Sequence, residues 1–98
     1  MNMNGYETMT TFWEDFSIAD MFGEEAIRDT YNRAFKHWKH DYKYLTELVM
    51  VLNWKIWQHY EDNEPISIVY NELWERADLY ACENLEGEEA RYFFDVTD

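Results

Sequence analysis

Apolar side chains recur every three or four residues along most of the chain, which is the spacing of one face of an α-helix. No segment keeps the alternation of apolar and polar residues that a half-buried strand requires. The pattern predicts helices from Phe12 to Phe22, from Glu24 to Trp38, from Tyr42 to Tyr60, from the Asn63–Glu64–Pro65 signal towards Gly87, and from Glu88 to Phe94. We therefore expect an all-α fold, a compact single-domain bundle of four helices plus a short C-terminal helix. Residues 1–98 form this one domain, with residues 1–10 expected to be a flexible N-terminal tail.

Local signals mark the expected helix ends. Thr11 and Glu14 have the spacing of a capping box for the first helix, and Gly23 can adopt the left-handed backbone that ends it. Asp41 is a suitable N-cap for the third helix, and Pro65 fits the first turn of the fourth. No linker or internal repeat separates these helices, which again indicates one domain.

The third helix carries apolar side chains on two sides. The face expected to be buried consists of Leu45, Leu48, Val49, Leu52, Ile56 and Tyr60. The second stripe consists of Met50, Trp54 and Trp57. A helix that is apolar on two sides is either central in a bundle or part of an oligomer interface. The second stripe is therefore a candidate surface for self-association, for example in a homodimer.

The composition is that of a folded protein. Of the 98 residues, 47% are hydrophobic and 19% aromatic, which is far more apolar surface than a disordered chain offers. Tyr92, Phe93 and Phe94 are expected to dock the last helix on the core. Cys82 is the only cysteine, so no disulfide can form within the chain, and no apolar run reaches the roughly 20 residues needed to span a bilayer. We expect a cytoplasmic protein that does not bind membranes.

Acidic residues outnumber basic ones by 21 to 8, and the net charge is −13. Residues 1–25 contain six acidic and no basic residues, and residues 72–98 contain nine acidic and two basic ones. Residues 26–60 form a mildly basic centre. Its candidates for pairing with the acidic ends, or with those of a second copy, are Arg28, Arg33, Lys36, Lys39 and Lys43. Direct binding of nucleic acid is not expected, because it requires Lys and Arg to neutralise phosphates and the overall field repels them.

Acidic side chains of the fourth helix are expected to share one outer face. Glu72, Glu75, Glu83 and Glu86 project within about one quadrant and span about 21 Å, over which one DNA strand presents roughly six phosphates. Further acids that could thicken this array are Glu88 and Glu89 and, second in rank, Glu61, Asp62 and Glu64. Two interpretations are open. The face could simply keep the protein soluble, or it could imitate a nucleic-acid backbone and occupy the basic groove of a partner protein.

The chain contains no recognisable set of catalytic or metal-binding residues. His37 and His40 lie three residues apart but lack further ligands at a recognised spacing. Ser17 and Ser67 lack a nucleophile motif, and Cys82 lies among carboxylates, which is a poor setting for a reactive thiolate. We therefore expect a protein that is not an enzyme and that binds no metal or cofactor.

Three stretches of the chain carry a resemblance to known proteins: TTFWEDFSIADMFGEEAIRDTYNRAF, YLTELVMVLNWKIWQHYEDNE and ELWERADLYACENLEGEEARYFFDVTD. They resemble small acidic accessory proteins carried on conjugative elements and prophages of Gram-positive bacteria, over the range from Thr11 to Asp98. Proteins of that setting include anti-restriction and anti-CRISPR proteins, some of which inhibit Cas9-type effectors by occupying sites meant for DNA or guide RNA. The resemblance implies an inhibitor whose partner is a basic host-defence nuclease, above all a CRISPR effector. The alternative is a helical interaction module that self-associates through the second stripe of the third helix.

Overall fold

The computed structural model describes residues 6–98, which form five α-helices joined by short turns. The helices are α1 (Met9–Phe22), α2 (Glu24–Trp38), α3 (Tyr42–His59), α4 (Glu64–Asn84) and α5 (Gly87–Thr97). No strand occurs within residues 6–98, and the predicted all-α fold is confirmed. None of the helices in this range combines the length and the apolar character that crossing a membrane requires.

Helix α1 begins about one turn earlier than the sequence pattern predicts. Its N-cap is Thr8, whose Oγ1 accepts a hydrogen bond from the backbone N–H of Thr11 at 3.2 Å. The predicted capping box of Thr11 and Glu14 is wrong, because Thr11 already lies inside the helix. The side chain of Met9 is buried, and packing of this kind provides most of the stability of a helix in a protein.

The packed part of the chain also begins before residue 10, where the expected tail would end. Tyr6 is only 3% exposed, and its ring centroid lies 5.4 Å from that of Phe12 and 6.0 Å from that of Trp38. Residues 6–10, which the sequence assigns to a flexible tail, thus contain two side chains that are buried in the core, Tyr6 and Met9. Residues 1–5, the rest of the expected tail, lie outside the described residues.

The remaining helix starts follow the local signals in the sequence. Asp41 Oδ1 accepts a hydrogen bond from the backbone N–H of Lys43 at 3.1 Å, and Asn63 Oδ1 accepts one from that of Ile66 at 3.3 Å. Gly23 joins α1 to α2 with a φ of 98°, which residues with a Cβ rarely adopt. The turns before α2, α3 and α4 therefore lie where the sequence predicts them.

The core lies where α3 and α4 pack on each other and on α2. From α3 it contains four of the six residues predicted to be buried, Leu45, Leu48, Val49 and Leu52, and from α4 it contains Ile66, Val69, Tyr70, Leu73 and Ala77. Tyr31 of α2 is fully buried, and its hydroxyl donates a hydrogen bond to the carbonyl oxygen of Leu73 at 3.0 Å. Burial raises the pKa of Tyr31, so the hydroxyl remains a donor throughout the physiological pH range.

Helix α5 docks through one aromatic residue rather than the three expected. Phe93 is fully buried, whereas Tyr92 is 42% and Phe94 is 36% exposed. Consecutive residues of a helix point about 100° apart, so three in a row cannot all face one core. The prediction that Tyr92 and Phe94 dock on the core is therefore wrong.

A polar cluster fixes the end of α1 to α3 and α4. The carboxylate of Asp20 accepts hydrogen bonds from the Tyr70 hydroxyl and from Lys55 Nζ, the latter at 3.3 Å. His59 Nε2 also lies 3.3 Å from Asp20 Oδ2. Burial by itself raises the pKa of Asp20, but the hydrogen bond from Tyr70 and the charge of Lys55 outweigh it and hold the pKa below its usual value. Asp20 is thus ionised in the folded protein, where it links three helices.

Candidate functional site

All nine acidic residues that the sequence singles out are exposed in the structure. They are Glu61, Asp62, Glu64, Glu72, Glu75, Glu83, Glu86, Glu88 and Glu89. Of these, only Glu72 forms an ion pair with another residue in the range 6–98. A carboxylate that is exposed and unpaired is free to contact a partner, so the set is a candidate binding surface.

Four of the nine residues line the outer side of α4, which we call the acidic ridge: Glu64, Glu72, Glu75 and Glu83. At 3.6 residues per turn they point within about 100° of one another, away from the buried side of the helix. With 21 residues, α4 is about 30 Å long. The ridge therefore follows nearly the whole length of this helix.

Two apolar residues interrupt the acidic ridge. Ile68 is 54% exposed and Leu79 is 59% exposed, and both lie on the same side of α4 as the four glutamates. The sequence pattern shows Leu79 within this stripe, and it places Ile68 between Glu64 and Glu72. A partner that covers the ridge would thus bury apolar surface as well as contact charge.

The other five acids lie at the two ends of the ridge. Glu61 and Asp62 are in the turn before α4, and Glu88 and Glu89 are in the first turn of α5. Glu86, predicted as the last residue of the helical face, lies beyond the end of α4 in extended backbone and is the N-cap of α5. Glu61 and Asp62 thus immediately precede the ridge in the chain, and Glu86, Glu88 and Glu89 follow its last residue within six positions.

Glu72 is the one member of the ridge with a partner in the fold. Its Oε1 accepts a hydrogen bond from Arg28 Nη2 of α2 at 2.5 Å, and Arg28 Nε donates to Glu24 Oε2 at 3.4 Å. The hydrogen bond to Glu72 raises the pKa of Arg28. The pair is exposed and ties α2 to α4 across the surface.

Two grooves flank Tyr60 at the end of α3. The larger, of about 530 Å³, is lined by Ile56, Tyr60, Glu64, Ser67, Ile68, Asn71 and Glu72. The smaller, of about 370 Å³, is lined by Trp57, Gln58, Tyr60, Glu61 and Asp62. Acids from the turn and from the ridge therefore share their grooves with exposed aromatic and aliphatic side chains.

Sequence reasoning missed the part that Tyr60 plays in this surface. The helical period assigns Tyr60 to the buried face of α3, but its side chain is 70% exposed. Tyr60 is the C-cap of α3 and keeps helical backbone angles, so its side chain stays on this face. The prediction fails because the core no longer covers the face here, where Ile56, one turn earlier, is already only half-buried. The available signal was its position directly before the acidic run from Glu61 to Glu64.

The basic centre is only partly paired with acidic residues. Besides Arg28, Arg33 donates a hydrogen bond from Nε to Asp29 Oδ2 at 3.2 Å, one turn earlier on α2. The predicted members that form no ion pair within the described part of the chain are Lys36, Lys39 and Lys43. These three lysines lie near the turn between α2 and α3, the opposite end of α3 from Tyr60.

The second stripe of α3 is also exposed. Met50 is 44%, Trp54 is 53% and Trp57 is 78% exposed. Trp54 and Val51 line a groove between α3 and the α1 residues Trp13, Phe16 and Ser17, with Lys55 at its edge. This surface is the candidate for self-association.

The structure groups few residues with chemical reactivity. In the range 6–98, no group of three His, Cys, Asp or Glu side chains is arranged to hold a metal ion. His40 Nδ1 is 3.0 Å from the Tyr80 hydroxyl in a hydrogen bond, and Cys82 is exposed.

No family model matches the sequence, and no match was found among curated proteins or solved structures. The side chains of this surface are therefore the guide to what it binds.

The folded protein is expected to become more stable as salt is added. Within the described residues, only Asp20, Glu24, Asp29 and Glu72 pair with a Lys or Arg, so most of the 21 acidic side chains repel one another in a compact body. Raising the ionic strength from 0.01 M to 0.15 M shortens the Debye length from about 30 Å to about 8 Å. The melting temperature should therefore rise over this range, and rise less in the variant Glu75→Gln/Glu83→Gln/Glu86→Gln. A melting temperature that falls would mean that attraction between paired charges dominates the surface.

Proposed function

We propose that the protein is a non-enzymatic inhibitor that occupies the basic nucleic-acid-binding surface of a host-defence nuclease, with a CRISPR-Cas effector as its target. In this proposal the acidic ridge and the acids at its ends take the place of a nucleic-acid backbone. The inhibitor and the nucleic acid then compete for the same Lys and Arg side chains of the nuclease.

The row of exposed carboxylates on α4 is the observation that carries the proposal. Four of them lie along the ridge, roughly one per 9–10 Å, and the other five lie in the segments that flank α4. One strand of DNA presents a phosphate about every 3.4 Å. The ridge is thus sparser in charge than a single strand, but it offers a partner's Lys and Arg side chains a row of anionic contacts along nearly the whole helix.

The rigidity of the ridge also supports the proposal. Helix α4 is anchored by Tyr70 and Ala77, both fully buried, so the backbone that carries the outer glutamates is fixed before a partner arrives. Pre-organised groups lose little conformational entropy on binding. CRISPR effectors hold nucleic acid in positively charged channels, into which a stiff acidic body can fit.

The exposed side chains of Ile68 and Leu79 favour a binding surface over one that serves solubility alone. Apolar residues in the middle of an acidic face do nothing for solubility. A partner that buries them gains apolar contact in addition to charge contact, and this combination is usual at the centre of a protein interface.

A cleavage assay with purified Cas9-type effectors from Gram-positive bacteria, tested with and without guide RNA, tests the proposal. The protein is expected to slow target cleavage, and less so as salt is raised, because charge steering weakens. The triple variant Glu75→Gln/Glu83→Gln/Glu86→Gln should inhibit at least about tenfold less at 0.15 M salt, a loss of about 1.4 kcal/mol in binding. The matched control is Glu7→Gln/Glu14→Gln/Glu47→Gln, which removes the same charge from exposed positions elsewhere.

Two outcomes contradict the proposal. If both triple variants lose inhibition equally, net charge matters and the ridge does not. If no effector of the panel is inhibited at any salt concentration, the assignment to CRISPR effectors is wrong.

Self-association through α3 is the second candidate, favoured by the exposure of Trp54 and Trp57. It predicts the opposite pattern of mutational effects. The double variant Met50→Gln/Trp54→Gln should then abolish function and dimerisation, as measured by analytical ultracentrifugation, while the ridge variant should leave both intact.

A further inference from the structure

The larger groove beside Tyr60 differs from the rest of the acidic surface in having walls of three chemical kinds. We call it the α3–α4 groove. Two ridge carboxylates, Glu64 and Glu72, stand at its edge, and Ile56 and Ile68 provide its aliphatic wall. Tyr60 adds an aromatic ring that is 70% exposed. An occupant that uses all three walls must carry a positive charge and also have an apolar body.

The floor of the groove offers further hydrogen-bond acceptors. Ser67 is 7% exposed, and its Oγ has no hydrogen-bond partner within the described residues. Asn71, one turn further along α4, lines the same groove and can present its side-chain carbonyl oxygen. A buried hydroxyl without a partner is uncommon in native proteins, and a ligand with several N–H donors would satisfy it after a change of the serine rotamer.

We propose that the α3–α4 groove receives an arginine side chain of the basic partner, an inference that rests on the proposed function. A guanidinium has five N–H donors in a flat fork, which can bind the carboxylate of Glu64 and the side-chain oxygens of Ser67 and Asn71, while Glu72, about 12 Å from Glu64 along α4, adds negative charge at the far edge. Its planar face stacks on the ring of Tyr60, and its three-carbon stem packs on the isoleucines. Lysine lacks the flat face and the fork, so the groove favours arginine.

Glu72 already binds one guanidinium within the fold. Arg28 Nη2 contacts its Oε1, which leaves Oε2 for a second donor. The repulsion between Arg28 and an incoming arginine is offset by Glu64 and by Glu61 and Asp62 of the adjacent groove, so the local charge remains negative. The existing pair turns the Glu72 carboxylate toward α2, so Glu64 is the groove carboxylate without an ion-pair partner in the described residues.

Titration of the purified protein with a minimal arginine probe tests the proposal. We would add N-acetyl-arginine methylamide and follow the methyl NMR signals of Ile56 and Ile68. A dissociation constant on the order of 1 mM is expected for one side chain. The lysine equivalent should bind about threefold or more weakly, and the citrulline equivalent, which is neutral and nearly the same shape, should not bind.

Two pairs of variants distinguish arginine binding in the groove from attraction by the overall negative charge. Tyr60→Leu should weaken arginine binding about two- to fivefold, whereas Tyr60→Phe, which keeps the ring, should not. Glu64→Gln should weaken it more than Glu89→Gln, which removes the same charge outside the groove. Equal binding of arginine and lysine, or equal loss in both glutamine variants, would overturn the proposal, because either result indicates attraction by net charge alone.

The two proposals can fail separately. Effector inhibition that depends on the ridge, combined with no arginine binding at the groove, would overturn the role of the groove alone. Arginine binding at the groove, with no effector inhibited, would overturn the proposed function while supporting the groove's selectivity.

Discussion

Replacing Phe12 with alanine is expected to lower the free energy of unfolding by about 3–5 kcal/mol. Phe12 is fully buried, and its ring centroid lies 4.3–5.5 Å from those of Tyr6, Trp13, Phe16 and Trp38. Truncation removes apolar contact and leaves a cavity among rings that cannot easily collapse into it. For a domain of this size, each kcal/mol corresponds to about 4–8 °C, so the melting temperature should fall by roughly 12–40 °C.

Phe22→Ala is the matched control, because it makes the same chemical change on the same helix at a side chain that is 74% exposed. Its effect should stay within about 0.5 kcal/mol. Thermal and urea unfolding followed by circular dichroism measure both variants. If Phe12→Ala changes the free energy of unfolding only slightly, the aromatic cluster is not what holds α1 on α2.

Asp20→Asn is expected to lower the free energy of unfolding by about 2–3 kcal/mol. The change keeps the shape of the side chain but removes its charge, so Lys55, whose side chain is 12% exposed, loses its counter-ion. The exposed pair of Asp29 and Arg33 provides the control, and Asp29→Asn should cost about 0.5 kcal/mol or less. Equal effects in the two variants would mean that the cluster is no stronger than a surface pair.

The contribution of Asp20 should also depend on pH. Its pKa is lower in the folded protein than the value of about 3.9 expected when unfolded, so ionisation stabilises the folded state above about pH 4. This contribution is lost as the pH falls through the folded-state pKa. The groups that face Asp20 are Lys55, His59 and Tyr70. The stability difference between the protein and Asp20→Asn should therefore narrow below about pH 4 in urea titrations, and a difference that widens would contradict the lowered pKa.

Features that depend on nearby residues are well predicted from the sequence. The caps at Asp41 and Asn63 act over two or three residues, and the helical period places the buried and outer sides of α4 correctly. The start of α1 is set by an equally local contact, from Thr8 to Thr11, but the sequence also offers Thr11 and Glu14 as a capping box one turn later. What no local pattern records is the contact of Tyr6 with Trp38, 32 positions away, which packs the residues before α1 on the core.

The candidate site likewise combines features that nearby residues predict with features that depend on contacts between distant residues. The glutamates of α4 follow from the helical period, and all nine predicted acids are exposed. The bond from Arg28 to Glu72 joins residues 44 positions apart, so the pattern of charges cannot identify the one ridge residue that is paired. The α3–α4 groove is also hidden in the sequence, because it depends on where the core stops covering the face of α3 that carries Ile56 and Tyr60.

The placement of the free lysines has a consequence for how the molecule approaches a partner. Lys36, Lys39 and Lys43 lie near one end of α3, and Glu61, Asp62 and Glu64 lie just beyond the other, about 27 Å away for a helix of 18 residues. The hydrogen bond between Tyr80 and His40 brings the far end of α4 close to the lysines, where the acids Glu83 and Glu86 are partly balanced. The charges at the two ends of α3 thus form a dipole along this helix, with its negative end at the turn between α3 and α4. If the partner is basic, as proposed, this local dipole favours an approach in which the turn that contains Tyr60 comes first.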